Sequence, residues 1–500
     1  MRTALISKVL VGLSMVMGAV ACGTATTSSA GEDNAVQDTE GTDVQDVSSG
    51  VGCSVSKHEP YALGGTIITP NGPMRGFVVV KDEKIAQIVD AKSKIDSSVT
   101  HIVDTQGIIS PGLIDLHNHV AYNFLPLWNS GKRFNNRYQW ARVPEYDTAV
   151  KDPYNAVKNA KHQCDGVKYG EMRAMAGGTT TIQGSVDLAC TRSWVRNVEF
   201  QNFCEDHVRQ NVLPINGIDA EEAKELNEQF DSGKVKTFFV HLAEGVDTLS
   251  SNEFEQLRGL DLLKPQVVGI HSTGLTESQI GEMGKIGMKI VWSPLSNMIL
   301  YGETTKIPAA LKAGVKVALA PDWTPSGSAN LLGELKMADR VNKEQFDGLI
   351  TDQQLFEMAT KNPSEIAGMD DKIGSIAVGK AADLMVIKGD ASKVYRAVID
   401  AKPEDVMLTT IGGQVFYGEE KLVEGTGTAR EFETVDACGS PRLISSKDTA
   451  SKLPESDKTI TDMVSTMKAD GAKDIVPLFD CDTTQFDFAF KAEPKRPATK

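Results

Sequence analysis

Apolar and polar positions change their rhythm along the chain. From Tyr61 to Pro111, short β-type runs recur, GGTIITPNG, RGFVVVKDEKIAQIV and HIVDTQGIISPG, separated by turn residues such as Pro70-Asn71-Gly72 and Lys81-Asp82. Runs of this length broken by such turns predict a small antiparallel unit. From Leu113 to Asp371, short apolar runs (GLIDLHNH, GTTTIQGS, KTFFVHLAE, QVVGIHST, MKIVWSP, VKVALAPD) alternate with helix-like stretches such as GVKYGEMRAMAGG, TESQIGEMGKIG and IPAALKAG. That βαβα texture predicts an α/β fold, a parallel sheet closed as a (β/α)8 barrel of the TIM type. From Gly374 the β texture returns in GSIAVGKAADLMVIKGD and DVMLTTIGGQVFYGE, so the flanks read as two parts of one small β-sandwich domain around the barrel. The expected organisation is a first sandwich part over 57–112, the barrel over 113–373, a second sandwich part over 374–425, and a polar C-terminal extension over 426–500 with no assigned role. No internal repeat accompanies these elements.

The N-terminus follows a different plan. MRTALISK carries Arg2 and Lys8, VLVGLSMVMGAVA is apolar but short for a bilayer span, and small residues precede Cys22. This reads as a signal peptide over 1–21. Cys22 directly after GAVA resembles a bacterial lipoprotein processing site, which implies a lipid anchor on Cys22 and an exported, membrane-anchored protein on the periplasmic or cell-surface side. A plain secretory signal is the alternative. Residues Gly23 to Ser56 hold no Lys or Arg and are dominated by Ser, Thr, Gly and acidic residues, so 22–56 reads as a flexible acidic tether.

Charge narrows the partners. A formal net charge of −15 would repel a phosphate backbone, which excludes nucleic acid and favours a small-molecule substrate. Oligomeric state is left open. If Cys22 carries lipid, six cysteines remain (Cys53, Cys164, Cys190, Cys204, Cys438, Cys481), an even number for an exported chain. Two of Cys164, Cys190 and Cys204 are expected to pair, and Cys53 or Cys438 to bond a terminal segment. No two share CxxC spacing, which argues against a cysteine zinc site.

The chain has only eight histidines, yet His117 and His119 stand one residue apart in ISPGLIDLHNHV. Residues i and i+2 of a strand face one side, so the two imidazoles project together at the end of an apolar run. His241 in FFVHLAEG and His271 in VVGIHSTG also end apolar runs, and Asp322 ends another in VALAPDW. Each has an ordinary structural explanation taken singly. Four strand ends delivering imidazole or carboxylate to one rim, each costly to bury alone, point jointly to a metal site. His58, His101, His162 and His207 lie in polar surroundings and are read as surface residues.

The set formed by PGLIDLHNH, FVHLAEG, GIHSTG and LAPDWTPSGSANLLGELK resembles the amidohydrolase superfamily. More narrowly it resembles the branch of cytosine deaminase, triazine hydrolases and S-adenosylhomocysteine deaminase. The likeness runs from Tyr61 to Glu419 and includes GTTTI, SPLSNMIL and VGKAADLMVI. It implies one divalent metal, zinc or iron, on His117, His119, His241 and Asp322. It further implies Glu244 as the proton-shuttling acid and His271 as a contact to substrate or to the reactive water. Asp322 and His271 would then orient that water and accept its proton. The implied activity is hydrolysis of a non-peptide carbon–nitrogen bond. A non-catalytic binding protein on the same scaffold and an ester hydrolase are the alternatives.

Three further features bear on the pocket. Trp323 is bulky beside Asp322, suited either to stacking on a planar substrate or to packing at the rim. Ser296 and Asn297 in SPLSN are candidate substrate contacts, with a turn role as the alternative for Asn297. The stretch 121–147 is rich in aromatics and carries Lys132, Arg133, Arg137 and Arg142. It reads either as a solvated loop with aromatic packing or as a lid over an anionic or aromatic substrate. Between Gly184 and Lys236 no Lys lies in an apolar run, so a second metal bridged by a carboxylated lysine is not expected.

Overall fold

The computed structural model describes residues 58–184, 194–199, 203, 205–211, 214–447 and 457–491. The expected signal peptide, Cys22 anchor and tether, and Cys53, Cys190 and Cys204, lie outside the described residues. No helix among the described residues is long and apolar enough to cross a membrane.

Four strands come first: β1 (Tyr61–Thr69), β2 (Gly72–Lys81), β3 (Lys84–Val89) and β4 (His101–Pro111). Eight short strands follow: β5 (Leu113–Asp115), β6 (Thr179–Ile182), β7 (Arg196–Asn197), β8 (Val208–Asn211), β9 (Thr237–Leu242), β10 (Val267–His271), β11 (Lys289–Trp292) and β12 (Lys316–Leu319). The last five are β13 (Leu384–Ile387), β14 (Val406–Ile411), β15 (Gln414–Gly418), β16 (Glu433–Ala437) and β17 (Ser440–Ile444).

The flanks meet in one nine-stranded sheet, ordered β16-β17-β15-β14-β13-β4-β1-β2-β3. The junction is the antiparallel pair β4 and β13, in register from Ile108↔Ile387 to Pro111↔Leu384. Leu63, Val78, Ile109, Leu384, Leu408 and Val415, drawn from both flanks, share one buried cluster, so neither flank completes its core alone. The C-terminal stretch, unassigned from sequence, supplies β16 and β17 to this sheet.

Between the flanks all strand pairs are parallel, in a three-stranded sheet β5-β6-β7 and a five-stranded sheet β8 to β12. The ends of β5 and β12 are joined by hydrogen bonds from His119 N to the Asp322 carbonyl (2.8 Å) and from Asp322 N to the His117 carbonyl (3.1 Å). Ile114, Val208, Phe239, Val268, Val291 and Ala318, from both sheets, pack in one cluster. On β9 and β12 the alternation is clear. Phe238 and Val240 pack outward with the helices and Phe239 inward, and Ala318 and Ala320 inward with Val317 and Leu319 outward. His241 and Asp322 continue the inward parity.

The segment 121–147 is packed through its aromatic residues and exposed at Asn129, Gly131, Arg142, Pro144 and Glu145. Trp128, Phe134, Trp140 and Tyr146 are buried, and so are Arg133 and Arg137. Arg133 donates to the carbonyls of Ile299 and, at 2.8 Å, Ala489, which locks the C-terminal residues onto the helix Pro294–Tyr301. Only Lys132 and Arg142 match the surface expectation, together with the partly exposed His58, His101 and His162. His207 does not: it is buried, with Nε2 2.9 Å from the Ala367 carbonyl and Nδ1 2.8 Å from Glu205. The polar residues around it in sequence hid a site at the foot of β8.

The C-terminal residues 457–491 wrap the helix Gln163–Ala176. Tyr169 donates to the Val476 carbonyl (2.6 Å) and Arg173 to Asp480 (3.0 Å). Cys438 is disulfide-bonded to Cys481 across 43 residues, the terminal tie expected for Cys438, and Cys164 is also disulfide-bonded. Loop closure of that length is worth about 2–4 kcal/mol. Cys438→Ser is therefore expected to lower unfolding stability by about that amount in chemical denaturation, and an unchanged midpoint would show that the wrap holds without its tie.

Candidate metal centre

Four strand ends bring the candidate ligands together. Asn118 forms a parallel bridge with Asp322, which keeps the backbone extended between His117 and His119 and sets both imidazoles on one side, ring centroids 5.0 Å apart. His241 at the end of β9 stands 4.7 Å from the His117 ring and 5.8 Å from the His119 ring. Asp322 Oδ1 is 3.0 Å from His117 Nε2 and 3.6 Å from His119 Nε2. One donor atom from each of His117, His119 and His241 lies within 4.8 Å of the others, and the same holds for His117, His271 and Asp322. Solvent reaches the cluster past His119, whose side chain is 20% exposed, against 2% for His117 and 5% for Asp322.

The backbone is shaped for this meeting. Ala243, His271, Ser272 and Asp322 have positive φ (52°, 62°, 55° and 70°), a conformation uncommon for residues with a Cβ and concentrated at functional sites. At Gly184 (φ 100°) an added Cβ would collide with the Asn118 carbonyl oxygen, so glycine is required where β6 passes the histidine pair.

Donor chemistry fits a cation. Burial lowers the His117 and His271 imidazoles to about 3 and His241 well below the ordinary range, with the Arg137 charge adding to each, so all three are uncharged at neutral pH. His117 Nε2 and His241 Nδ1 are buried without a hydrogen-bond partner, an orphaning that a shared cation relieves.

Hydrogen bonds behind the ligands fix their direction. Asp115 accepts from His117 N (3.1 Å) and Asn118 Nδ2 (2.7 Å). Its carboxyl is raised well above the usual range by burial, with the Glu334 and Asp322 charges adding. Ser296 donates to Asp322 Oδ2 at 2.6 Å and lies 2.8 Å from Ser326 Oγ. Asn297 Nδ2 donates to His271 Nδ1 at 3.2 Å. Its amide is oriented by Thr304 Oγ1, which accepts from Trp292 Nε1 (2.8 Å) and donates to Asn297 Oδ1 (3.4 Å). His271 thus meets Asn297 through Nδ1 and faces Glu244 with Nε2.

Ser296 and Asn297 are fully buried on the helix Pro294–Tyr301, not in a turn, and act on Asp322 and His271 from behind. Loss of such an outer hydrogen bond weakens metal affinity by about 10- to 100-fold. Ser296→Ala is expected to show that loss in competition with a chelator, and unchanged retention would remove the hydroxyl from this role.

Glu244 follows β9 on the turn Ala243–Gly245. Its Oε1 accepts from Tyr301 Oη (2.6 Å), and its Oε2 lies 3.7 Å from Arg137 Nε and 3.9 Å from His271 Nε2. Trp323 is buried in an aromatic cluster, its ring 5.5 Å from His119, 5.4 Å from Tyr122 and 6.0 Å from Trp140. A small cavity beside the histidines is lined by Gly184, Gln210 and Asn211. Gln210 accepts from Gln183 Nε2 (2.6 Å), which also donates to Glu199 Oε1 (2.7 Å). Burial raises Glu199 to about 7. Sequence reading missed Gln210, Asn211 and Glu199, because β7 and β8 carry no apolar run to announce a strand end, and Tyr301, which continues the apolar run of its helix.

The Amidohydrolase family matches residues 219–416. Those residues carry His241, Glu244, His271, Ser296, Asn297 and Asp322, while the HNH pair lies upstream. Among curated relatives, a 5'-deoxyadenosine deaminase of Methanobrevibacter smithii is 24% identical over 409 residues, covering 70% of this chain and 90% of that protein. A 5-methylthioadenosine/S-adenosylhomocysteine deaminase of Caldicellulosiruptor saccharolyticus is 22% identical over 436 residues, covering 75% and 97%. Among solved structures, a zinc-bound adenosine deaminase from Xanthomonas campestris superposes with a TM-score of 0.59 at 16% identity, covering 73% of this chain and 97% of that one. A zinc complex of atrazine chlorohydrolase from Arthrobacter aurescens gives 0.57 at 17% identity, covering 73% and 99%. The structural likenesses show a shared fold.

Proposed function

We propose that the protein is a metal-dependent hydrolase that cleaves a non-peptide carbon–nitrogen bond of a small molecule, acting as a deaminase or amidohydrolase. The observation that carries this reading is the meeting of His117, His119, His241 and Asp322 beside Glu244 and His271. The names of the curated relatives support it, since they are deaminases of amino-substituted heterocycles. In this reading the eight parallel strands form one (β/α)8 barrel and the nine-stranded sheet curls into the flanking β-sandwich. The barrel reading is supported by the β5 to β12 hydrogen bonds and the shared interior cluster.

His117, His119, His241 and Asp322 would hold one divalent ion, zinc by analogy with the solved neighbours. An ion held there supplies the Lewis acidity that makes water a nucleophile near neutral pH. Asp322, with Oδ2 committed to Ser296, turns Oδ1 toward the histidines and accepts the proton of the attacking water. His271 faces the site with Nε2. Glu244 carries a proton to the departing nitrogen. One water is consumed, a carbon–oxygen bond forms, the carbon–nitrogen bond breaks and ammonia or an amine leaves. Trp323, backed by its aromatic cluster, forms the wall on the His119 side past which a planar substrate enters.

Residues 1–21 and Cys22 are proposed as an export signal and lipid anchor on the strength of their sequence pattern, to be tested by membrane fractionation of a Cys22→Ala variant. The catalytic reading is tested by metal analysis of the purified protein followed by ammonia release from a panel of amino-heterocycles, cyclic ureas and N-acyl amino acids. Turnover that disappears on chelation is expected. Stoichiometric metal without turnover of any member would favour a binding protein on this scaffold.

A further inference from the structure

The two oxygens of Glu244 are held differently. Oε1 accepts the phenol hydrogen of Tyr301 at 2.6 Å, while Oε2 faces His271 Nε2 at 3.9 Å and Arg137 Nε at 3.7 Å. Tyr301 is fully buried at the end of the helix Pro294–Tyr301, and its own oxygen accepts from Trp140 Nε1 at 2.8 Å. A phenol has one hydrogen, so a hydroxyl that accepts from an indole directs that hydrogen at the carboxylate. Burial and the adjacent carboxylate push the phenol well above its ordinary range, which keeps it a donor.

Arg137 and Trp140 belong to one short helical turn that is docked on the Glu244 loop itself. Arg137 N donates to the Glu244 carbonyl (3.1 Å) and Val246 N to the Asn135 carbonyl (2.7 Å). Tyr138 Oη donates to Glu253 Oε1 (2.6 Å), whose other oxygen accepts from Ala243 N (2.6 Å).

We infer that Tyr301, anchored by Trp140, and Arg137 are positioning residues that fix the Glu244 carboxylate so that Oε2, on the His271 side, is the oxygen that exchanges a proton with substrate. This rests on the reading of Glu244 as the proton carrier. A carboxylate turning freely about its last bond presents either oxygen, whereas one pinned at Oε1 presents a single oxygen in one orientation. The stretch 121–147 thereby gains a role other than that of a lid: it brings the parts that steady the acid.

Tyr301→Phe removes one oxygen and leaves the ring. Its expected result is a kcat lower by about 10- to 100-fold, with KM within about twofold and metal content unchanged. In a crystal structure of the variant the Glu244 carboxylate is expected to be rotated. Trp140→Phe, which removes the N–H together with the five-membered half of the indole, is expected to give a smaller loss of kcat in the same direction with metal content unchanged, and covers the case in which Tyr301→Phe folds poorly. The double variant Glu244→Gln/Tyr301→Phe is expected to be no slower than Glu244→Gln alone, since both act on one step. Wild-type kcat in both Tyr301→Phe and Trp140→Phe, or full multiplicativity in the double variant, overturns the positioning role while the catalytic reading stands. Full turnover in Glu244→Gln overturns the catalytic reading, and this inference with it.

Discussion

Replacing Glu244 with Gln is expected to lower kcat by about 10²- to 10⁴-fold while the purified variant retains as much metal as the wild type. The amide has nearly the shape of the carboxylate, and its carbonyl oxygen still accepts from Tyr301. It cannot carry a proton to a leaving nitrogen. None of His117, His119, His241 and Asp322 is touched, so a fall in turnover with intact metal content separates proton transfer from metal binding. Steady-state kinetics and elemental analysis on one preparation read both quantities. Full turnover would mean that the proton reaches the nitrogen by another route.

Asp322→Asn is expected to have the largest effect of any single substitution, a loss of bound metal after dialysis together with a kcat/KM lower by more than about 10³-fold. Asparagine tolerates the left-handed backbone that Asp322 adopts, so the fold is expected to survive. Without metal, the variant is expected to melt close to metal-free wild type, because asparagine matches the shape of the aspartate and keeps an acceptor for the Ser296 hydroxyl. Calorimetry of the two metal-free proteins checks this. A variant that kept its metal and its activity would remove Asp322 from the site.

Strand ends with a long apolar approach were legible from sequence. FFVHL, VVGIH and VALAPD each carry three or more buried residues into one polar side chain, and a lone imidazole or carboxylate in that position has few inexpensive explanations. Lining the small cavity, by contrast, Gln210 and Asn211 sit on VRQN, a strand of four residues in which Arg209 and Gln210 are only partly buried. Arg196 and Asn197 form a strand of two, held by pairing to β6 and not by any pattern of their own. Arg137 was visible as a charge, but sequence does not show that its turn docks on Gly245 and Val246. Tyr301 read as one more apolar residue of SPLSNMILY. The C-terminal residues gave no periodic signal because their buried partners are distant, Arg173 for Asp480 and Arg133 for Ala489.

That four side chains from three strand ends hold one divalent ion is tested by anomalous diffraction at the zinc absorption edge from crystals of the full chain grown with zinc. One strong peak is expected at bonding distance from His117, His119, His241 and Asp322, with Glu244 outside the coordination sphere. A peak elsewhere, a second peak bridged to the first, or no peak between those four side chains would contradict it.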